Sequence, residues 1–575
     1  MKSSDYIVQF FAERGVDTFF GYIGGMVTHL VDSISKNPHV RFIQTYHEQT
    51  AAFAAEGYAR VKGIPGVAIA TSGPGATNML TSVGNAFFDS IPVIYITGQV
   101  NTGDYKYDKP IRQQGFQETD IVSIARPITK YAVMIDSPDQ IRYELEKAWD
   151  IAVSGRPGPV LIDLPMNMQR AEISQEQLRS YSPPSCEEQE DVNSLIQTHL
   201  NSFFQAKKPV ILIGGGCHSL SRRNKENLYR LSKSLPTVCS LQGKGTIPED
   251  SPLFAGLLGS YGNRAANITV AMADAILVLG SRLDSRQTGN IKEAFYTGKT
   301  IYHFDVDPSE LEYSTIKNRI PVCCKTEQVI EILEKEKMPP ANRTWLNEVA
   351  ALLQKYGIDK EIERFIDNPL PYQMLAKIGA LSSETTRFVA DIGQNQMWSA
   401  QTLRIHEEQD FFTSGGMAPM GYALPTAIGM AFADPGKKIC VITGDGGLQM
   451  SMQALLLAAQ YKLPISIFVM NNLALGMITQ FQGLYFDSNY AATTPEGGYL
   501  NPNWETIAAG TGLNYQRITS PDEISEKTIC PGLIEIVLPG RTTVSPKLEY
   551  NCPLYDMTPH LSKDELDGLF SQCSK

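Results

Sequence analysis

KKICVITGDGGLQMSMQALLLAAQYKLPISIFVMNNLALGM, residues 437–477, decides the fold. Two apolar runs, KICVIT (438–443) and ISIFVM (465–470), flank a stretch of helical spacing, which is the strand–helix–strand pattern of a parallel sheet. The first run ends in Gly444-Asp445-Gly446-Gly447 and the second in Asn471-Asn472. The ends of parallel strands face one sheet edge, so Asp445 and Asn472 are placed to share an oxygen-loving cation, with a helix N-terminus available to anionic phosphate. Aspartate and an amide carbonyl suit Mg²⁺, and phosphate completes the octahedron. Either residue alone reads as a solvated loop position; together they read as a cation site.

Outward from this segment the same grammar recurs. VAIA (67–70), PVIYIT (92–97), PVLIDL (159–164), PVILIG (209–214) and AILVLG (275–280) alternate with helical spacing. Polar stretches at 171–193, with a Pro-Pro pair, and at 334–343 divide the chain into three α/β units, 1–170, 190–335 and 365–550. Linkers are expected at 171–189 and 336–364, and a polar tail at 551–575. The fold class expected is α/β, three domains each with a mainly parallel sheet flanked by helices. The 575 residues, 43% hydrophobic, are ample for three cores.

A net charge of −11 argues against nonspecific nucleic-acid or anionic-membrane binding, since no basic excess exists to displace counterions. The N-terminal stretch lacks an apolar core of signal-peptide length, and Asp89 and Pro92 break the most apolar later stretch, 83–98, so neither secretion nor a membrane span is expected. Nine cysteines without CxxC pairs signal neither a disulfide framework nor zinc, and Cys323–Cys324 reads as a core and a surface residue of a strand. A cytoplasmic setting fits.

Three other segments bear on chemistry. PVILIGGGCHS (209–219) has Ser219 where a dinucleotide fingerprint needs glycine, so Gly214–Gly216 reads as a tight turn. TSGPGATN (71–78) is not a nucleophile elbow, and Ser72 is not read as a nucleophile; its glycines let backbone approach a ligand. QTYHEQTAAFAAEGYARVKG (44–63) is a helix with Glu48 near its start and an alanine-rich face for close packing. Taken by pattern, Glu48 complements the helix dipole; buried, it would hold or exchange a proton.

Together FGYIGG (20–25), YHEQTAAFAAEGYAR (46–60), TSGPGATN, GRPGPVLIDLP (155–165), TSGGMAPMGYALPTAIG (413–429) and the spaced GDG and NN resemble the thiamine-diphosphate-dependent enzymes, nearest their acetolactate synthase branch. The resemblance runs from residue 1 to about 540. It implies a pyrimidine-binding first domain, a central FAD/nucleotide-binding-like domain and a diphosphate- and Mg-binding third domain. It also implies a cofactor lying between two subunits, hence at least a homodimer, often a tetramer.

By the same resemblance Glu48 hydrogen-bonds the aminopyrimidine and promotes loss of the thiazolium proton. Asp445, Asn472 and the backbone oxygen of Ala474 hold the metal. Met420 is the apolar wedge under the cofactor. Ile23, Gly24, Gly73, Gly444, Gly446 and Gly447 fall at cofactor-contacting positions. Phe116 and Gln117, in RQQGFQETD (112–120), match active-site positions, and Arg286, in GSRLDSRQTG (280–289), matches an arginine near the second substrate's carboxylate. Arg156, Arg282 and Asp305 match residues beside a non-redox FAD; related branches keep this domain without flavin, so FAD occupancy is open.

Two departures narrow the branch. Ile23 stands where acetolactate synthases usually have proline, and Phe481 where they usually have the tryptophan that shapes the acceptor pocket. LYFDSNYAATTPEGGYLNPNWETIA (484–508) reads as a lid. The segment SPKLEYNCPLYDMTPHLSKDEL (545–566) looks like enzymes of bacterial surface-polysaccharide gene clusters, whose characterised type adds a two-carbon unit from pyruvate to a keto-sugar nucleotide. The expectation is therefore a carboligase that decarboxylates a 2-oxo acid, pyruvate first, and transfers the acyl-anion equivalent to a keto sugar. The rivals are acetolactate synthase, a plain 2-oxo acid decarboxylase and a noncatalytic scaffold.

Overall fold

The structure, a computed structural model, describes residues 1–184, 192–335 and 342–571. Three sheets of six strands each, all parallel, account for the three expected units. The first comprises β1 (Thr18–Tyr22), β2 (Arg41–Gln44), β3 (Gly66–Ala70), β4 (Val93–Gln99), β5 (Tyr131–Met134) and β6 (Val160–Pro165), in the order β2-β1-β3-β4-β6-β5. The second comprises β7 (Pro209–Ile213), β8 (Thr237–Cys239), β9 (Phe254–Leu257), β10 (Ala275–Leu279), β11 (Thr300–Asp305) and β12 (Arg319–Cys323), in the order β12-β11-β10-β7-β8-β9. The third comprises β13 (Arg387–Ala390), β14 (Asp410–Thr413), β15 (Ile439–Gly444), β16 (Ile465–Asn471), β17 (Tyr515–Ile518) and β18 (Gly532–Val537), in the order β14-β13-β15-β16-β18-β17.

The third order repeats the first position for position. The middle order is that of dinucleotide folds, with its switch point between β7 and β10. Gly214 and Gly280 touch there: a Cβ on Gly214 would stand 2.1 Å from the Gly280 carbonyl. The turn read at Gly214–Gly216 is thus a close backbone approach.

The seven quoted apolar runs are all strands. Shorter strands with charged ends escaped the periodicity, and β13 and β14 show why: Arg387 and Asp410 are register partners joined by a 3.1 Å ion pair, so each charge hides a strand that the other completes. Cys323 is exposed and Cys324 buried, as read.

Two boundary readings are corrected. The expected linker 336–364 carries the helices Arg343–Tyr356 and Ile358–Phe365, and Trp345, Val349, Leu352 and Tyr356, at helical spacing, enter the middle unit's core. The polar tail is docked on the same unit: Leu554 and Leu561 join that core, and β19 (Lys547–Leu548) pairs antiparallel with β20 (Met557–Thr558). Buried Arg264 clamps both segments, pairing with Glu361 at 2.9 Å and donating to the carbonyls of Met557 and Pro559 at 3.1 and 2.7 Å. Within 171–189, residues 185–189 lie outside the described residues, and Leu178 is buried. Among the described residues no helix is long and apolar enough to cross a membrane.

The first and third units meet through the helices Glu48–Lys62 and Ala423–Ala433, which occupy equivalent crossovers between the second and third strands of their units. A Cβ on Gly57 would stand 2.0 Å from the Thr426 carbonyl, and one on Gly429 1.7 Å from that of Ala54. Gly57→Ala and Gly429→Ala are each expected to lower the thermal midpoint, overpacking here costing roughly 1–3 kcal/mol or more. Gly510→Ala, in the helix Trp504–Thr511 where a Cβ meets open space, is the control and should raise stability by about 0.5–1 kcal/mol. Equal midpoints for all three would refute the crossing as a steric constraint.

Candidate functional site

β15 and β16 pair in register up to Gly444 and Met470, so Asp445 and the Asn471-Asn472 pair leave the sheet side by side. Asp445 is buried; its Oδ1 accepts from the Gly446 N–H at 3.0 Å and its Oδ2 from Asn501 Nδ2 at 2.9 Å. Burial pushes its carboxyl up to about 7, against bonds from the Gly446 peptide, the Tyr499 hydroxyl and the Ala474 peptide that favour the charged form. Asn472 donates its amide protons to Gln394 Oε1 at 3.1 Å and Thr542 Oγ1 at 3.0 Å, which commits its nitrogen and leaves its carbonyl oxygen for a cation. Leu473, in the left-handed region at φ +56°, folds the chain back so that Ala474 returns to Asp445. Asn501 Oδ1, beside the carboxylate, is buried without a partner among the described residues. Ala474 meets the carboxylate through its N–H; the carboxylate and amide oxygens are donors of the kind a hard cation takes.

The glycines here are cradles. A Cβ on Gly446 would stand 2.7 Å from Leu475 and 3.2 Å from Met420 Cε; one on Gly447 would stand 2.9 Å from Thr443 Oγ1. Gly444 approaches Asn395 Oδ1, to 3.2 Å from its own built Cβ. Met420 thus lies over the Gly446 turn. Its loop is held by Asp391, whose carboxylate accepts from the N–H groups of Gly421 and Ala423 at 3.0 and 3.1 Å. Burial pushes Asp391 up to about 6.

The second group belongs to the first unit. Glu48, buried at the start of its helix, accepts from Asn78 Nδ2 at 3.0 Å, and Gly75 leaves it room: a Cβ there would come within 3.1 Å of Glu48 Oε1. TSGPGATN therefore supplies both the partner and the space for Glu48. His47 caps this helix, its Nδ1 accepting from the Gln49 N–H at 3.1 Å. Gly24 abuts Thr71, and Gly73, at φ +60°, abuts the Gln117 carbonyl. Ile23 is exposed beside them, and Phe116 is 79% exposed. Ser72 Oγ is buried with no hydrogen-bond partner among the described residues, and so has no base to activate it.

Arg286 and Phe481 line one pocket of about 400 Å³, together with Tyr261, Met397, Ala418 and Lys547. Phe481 packs against Tyr485, the ring centroids 4.8 Å apart and the planes tilted by 56°. Arg286, Tyr261 and Met397 also line a larger cavity of about 1090 Å³ at the middle sheet's switch point, with Arg156, Arg282, Asp305, Gly215 and Gly216. Arg156 there is already paired with Asp307 and Glu310 at 3.1 and 2.7 Å.

Sequence reasoning missed Tyr499, Asn501, Asp391, Glu118 and Lys547. Tyr499 and Asn501 lie in the segment read as a lid and touch Asp445; Asn-Pro was read only as a turn. Glu118, inside the quoted RQQGFQETD, is the post of the Gln117 loop, its carboxylate accepting from the N–H groups of Lys106, Gln114 and Gly115 at 2.8, 2.6 and 3.0 Å.

Comparison with known proteins agrees with this arrangement. The thiamine pyrophosphate enzyme N-terminal TPP binding domain matches residues 1–124, the central domain 196–333 and the C-terminal TPP binding domain 391–529. The chain belongs to the thiamine pyrophosphate enzyme family. Within it the chain is of the acetolactate synthase type. It is 35% identical to a probable acetolactate synthase large subunit of Methanocaldococcus jannaschii, over 92% of this chain and 89% of that protein. It is 34% identical to the acetolactate synthase large subunit of Corynebacterium glutamicum, over 91% and 83%, and 33% identical to that of Lactococcus lactis, over 99% and 96%.

Glu118→Ala is expected to leave three backbone donors without their carboxylate, each charge-assisted bond being worth about 1.5–3 kcal/mol. The amides of Lys106, Gln114 and Gly115 should exchange hydrogen at least about tenfold faster, while amides of β4 stay protected. Unchanged exchange at those three positions would remove Glu118 from its role.

Proposed function

We propose that the protein is a thiamine-diphosphate- and Mg²⁺-dependent carboligase that decarboxylates a 2-oxo acid, pyruvate first, and joins the two-carbon unit to the carbonyl of a keto sugar. The observation that carries the acceptor reading is the pocket bounded by Arg286 and Phe481, about 400 Å³ and opening beside Met420's loop at Ala418. Its phenyl ring, in place of an indole, suits a bulkier acceptor than a second pyruvate.

Bound thiamine diphosphate supplies the carbanion centre and the electron sink. This chain's residues hold and orient it. Asp445, Asn472 and the Ala474 carbonyl are the proposed Mg²⁺ ligands, and the Gly444–Gly447 turn receives the diphosphate. Met420 would support the bound cofactor, with Gly24, Gly73 and Ile23 leaving room for its pyrimidine. Glu48, its carboxylate steered by Asn78, would hold or give a proton there. Gln117 and Phe116 would border the substrate. FAD is proposed for the larger cavity, with Arg282 and Asp305 facing it; Arg156 would have to leave its two carboxylates to join them.

The helix crossing supports an obligate second copy. Ala54 meets Gly429 while Gly57 meets Thr426, so the helices run in opposite directions, and their N-terminal ends, which carry Glu48 and Met420, lie at opposite ends of the crossing. At 1.5 Å per residue that separation is on the order of 20 Å, more than one pyrimidine–thiazolium unit spans. Exposed Ile23, Tyr46, Phe116, Met450 and Leu473 are apolar surface for the partner.

Acetolactate synthase is the second reading, favoured by relatives 33–35% identical over most of their lengths. Protein loaded with thiamine diphosphate and Mg²⁺ and given pyruvate alone separates the two. Slow pyruvate loss with little acetolactate supports the keto-sugar carboligase, and rapid stoichiometric acetolactate makes the second reading correct.

Glu48→Gln should keep cofactor affinity and lose turnover by orders of magnitude, and Asp445→Ala should lose Mg²⁺-dependent cofactor binding by calorimetry. Mixing and reassembling the two inactive variants should then restore about a quarter of wild-type activity, because half of the dimers are mixed and each mixed dimer carries one intact site. No recovery on mixing would place both residues in a single-chain site.

A further inference from the structure

The acceptor pocket carries a second fixed cation that the acetolactate-type reading does not use. Of its lining residues only Arg286 and Lys547 are charged, and both are positive. Lys547 is 8% exposed and lies on β19, which the Leu548 N–H ties to the Ser260 carbonyl at 2.7 Å, fixing the lysine stem against the middle unit. Among the described residues its ammonium makes no ion pair or hydrogen bond, and the Tyr485 ring lies 5.9 Å away. Glu549, whose charge favours the ammonium, is itself 3.8 Å from His560. Among the described residues the Arg286 guanidinium also has no carboxylate, and it sits 5.7 Å over the Tyr261 ring. Burial disfavours the lysine's charged form, and desolvating an ammonium in a pocket whose other charge is a guanidinium is unfavourable until an anion joins it.

The pocket's amide donors are taken. Gln480 is committed to both polar atoms of the Val544 backbone, and Gln396 Nε2 donates to Thr413 Oγ1 and the Ser414 carbonyl. The donor's carboxylate is a poor occupant, because it must lose its charge as CO₂, and a fixed cation on it would stabilise the ground state against decarboxylation. The anion therefore belongs to the acceptor. One monoanionic carboxylate satisfies Arg286 alone; a phosphate, with up to two charges and three acceptor oxygens, satisfies both cations.

Building on the carboligase reading, we propose that Lys547 and Arg286 form a phosphate-binding subsite, and that the carbonyl acceptor is a phosphorylated or diphosphate-bearing molecule. Lys547 acts as a specificity-determining residue and takes no part in pyruvate decarboxylation.

The test uses the enzyme loaded with thiamine diphosphate and Mg²⁺ and the unreactive probe glycerol 3-phosphate, titrated by calorimetry. Glycerol and glycerate are the neutral and carboxylate controls. Wild type should bind the phosphate ester and prefer it to both controls. Lys547→Met should weaken that binding tenfold or more, Lys547→Arg should recover most of it, and equal thermal midpoints and equal thiamine-diphosphate affinity should show that all three proteins are folded and loaded. With dihydroxyacetone and dihydroxyacetone phosphate as matched ketones, the lysine substitution should raise KM for the phosphate alone. No binding of glycerol 3-phosphate, equal binding of glycerate, or indifference to Lys547→Met would overturn the subsite. Rapid acetolactate from pyruvate alone would instead overturn the carboligase reading, and the binding measurement does not depend on that outcome.

Discussion

Everything in this molecule hangs on two glycines. Gly57 and Gly429 let the crossover helices of the first and third units touch backbone to backbone, and any side chain at either position would overlap a carbonyl of the other helix. Such contact excludes water from the seam, and the polar groups trapped there must satisfy one another. Most do so in one network, while Arg60 Nε, Tyr422 Oη and Thr426 Oγ1 stay buried without a partner among the described residues. Arg60 pairs with Glu56 and Asp89 at 3.5 and 3.4 Å, Asn85 donates to Glu56, Ser414 bonds Asn85, and Asp89 accepts from the N–H groups of Gly415 and Gly416. Burial pushes Glu56 up to about 7, so desolvation outweighs the bonds from Arg60 and Asn85 that favour its charged form. Its cost is repaid in specificity, since the AEGYAR and TSGGM segments recognise each other and set the position of the loop that carries Met420.

That seam explains which parts of the fold were legible. Long β-branched runs announced their strands because parallel strands are buried on both faces. The four-residue strands β13 and β14 stayed hidden because their charges are answered only across the sheet, by a partner that no local window contains. The helices of 343–365 were hidden for a different reason. Their boundary reads as polar and Pro-rich, while Trp345, Val349 and Leu352 point into a core supplied by residues from far along the chain. The identity of strand order between the first and third units was also out of reach, since the two share topology without a visible repeat.

The site divides along the same line. Asp445 and Asn472 were readable from spacing alone, because two adjacent parallel strands must end at one edge. Glu48 was not: at the first turn of a helix its pattern is that of any dipole-complementing glutamate, and only the Gly75 and Asn78 contacts single it out. Tyr499, Asn501 and Asp391 gave no local signal, because each acts through a neighbour brought in by tertiary structure. Lys547 lay inside a quoted segment and still read as surface, since nothing local says that β19 is tucked against Ser260.

The shared strand order gives the two outer units equivalent edges, and the chemistry comes from filling them differently. After β15 and β16 the third unit places Asp445 and Asn472; after β3 the first unit places Thr71, Ser72 and Gly73 at the same edge, with no acid to take a cation. The crossover after β2 begins at Glu48, and the equivalent crossover after β14 is preceded by the Met420 loop. On the proposed reading one topology serves a charged diphosphate at one edge and a neutral ring at the other, with Met420 just before one helix and Glu48 at the start of the other. Because the Gly57–Gly429 crossing runs those helices in opposite directions, it keeps Glu48 and Met420 of one chain apart. On the proposed reading the contact that joins the two units also leaves a single chain without a complete site, and a twofold partner is the simplest arrangement that would bring Glu48 of one copy to Met420 and Asp445 of another.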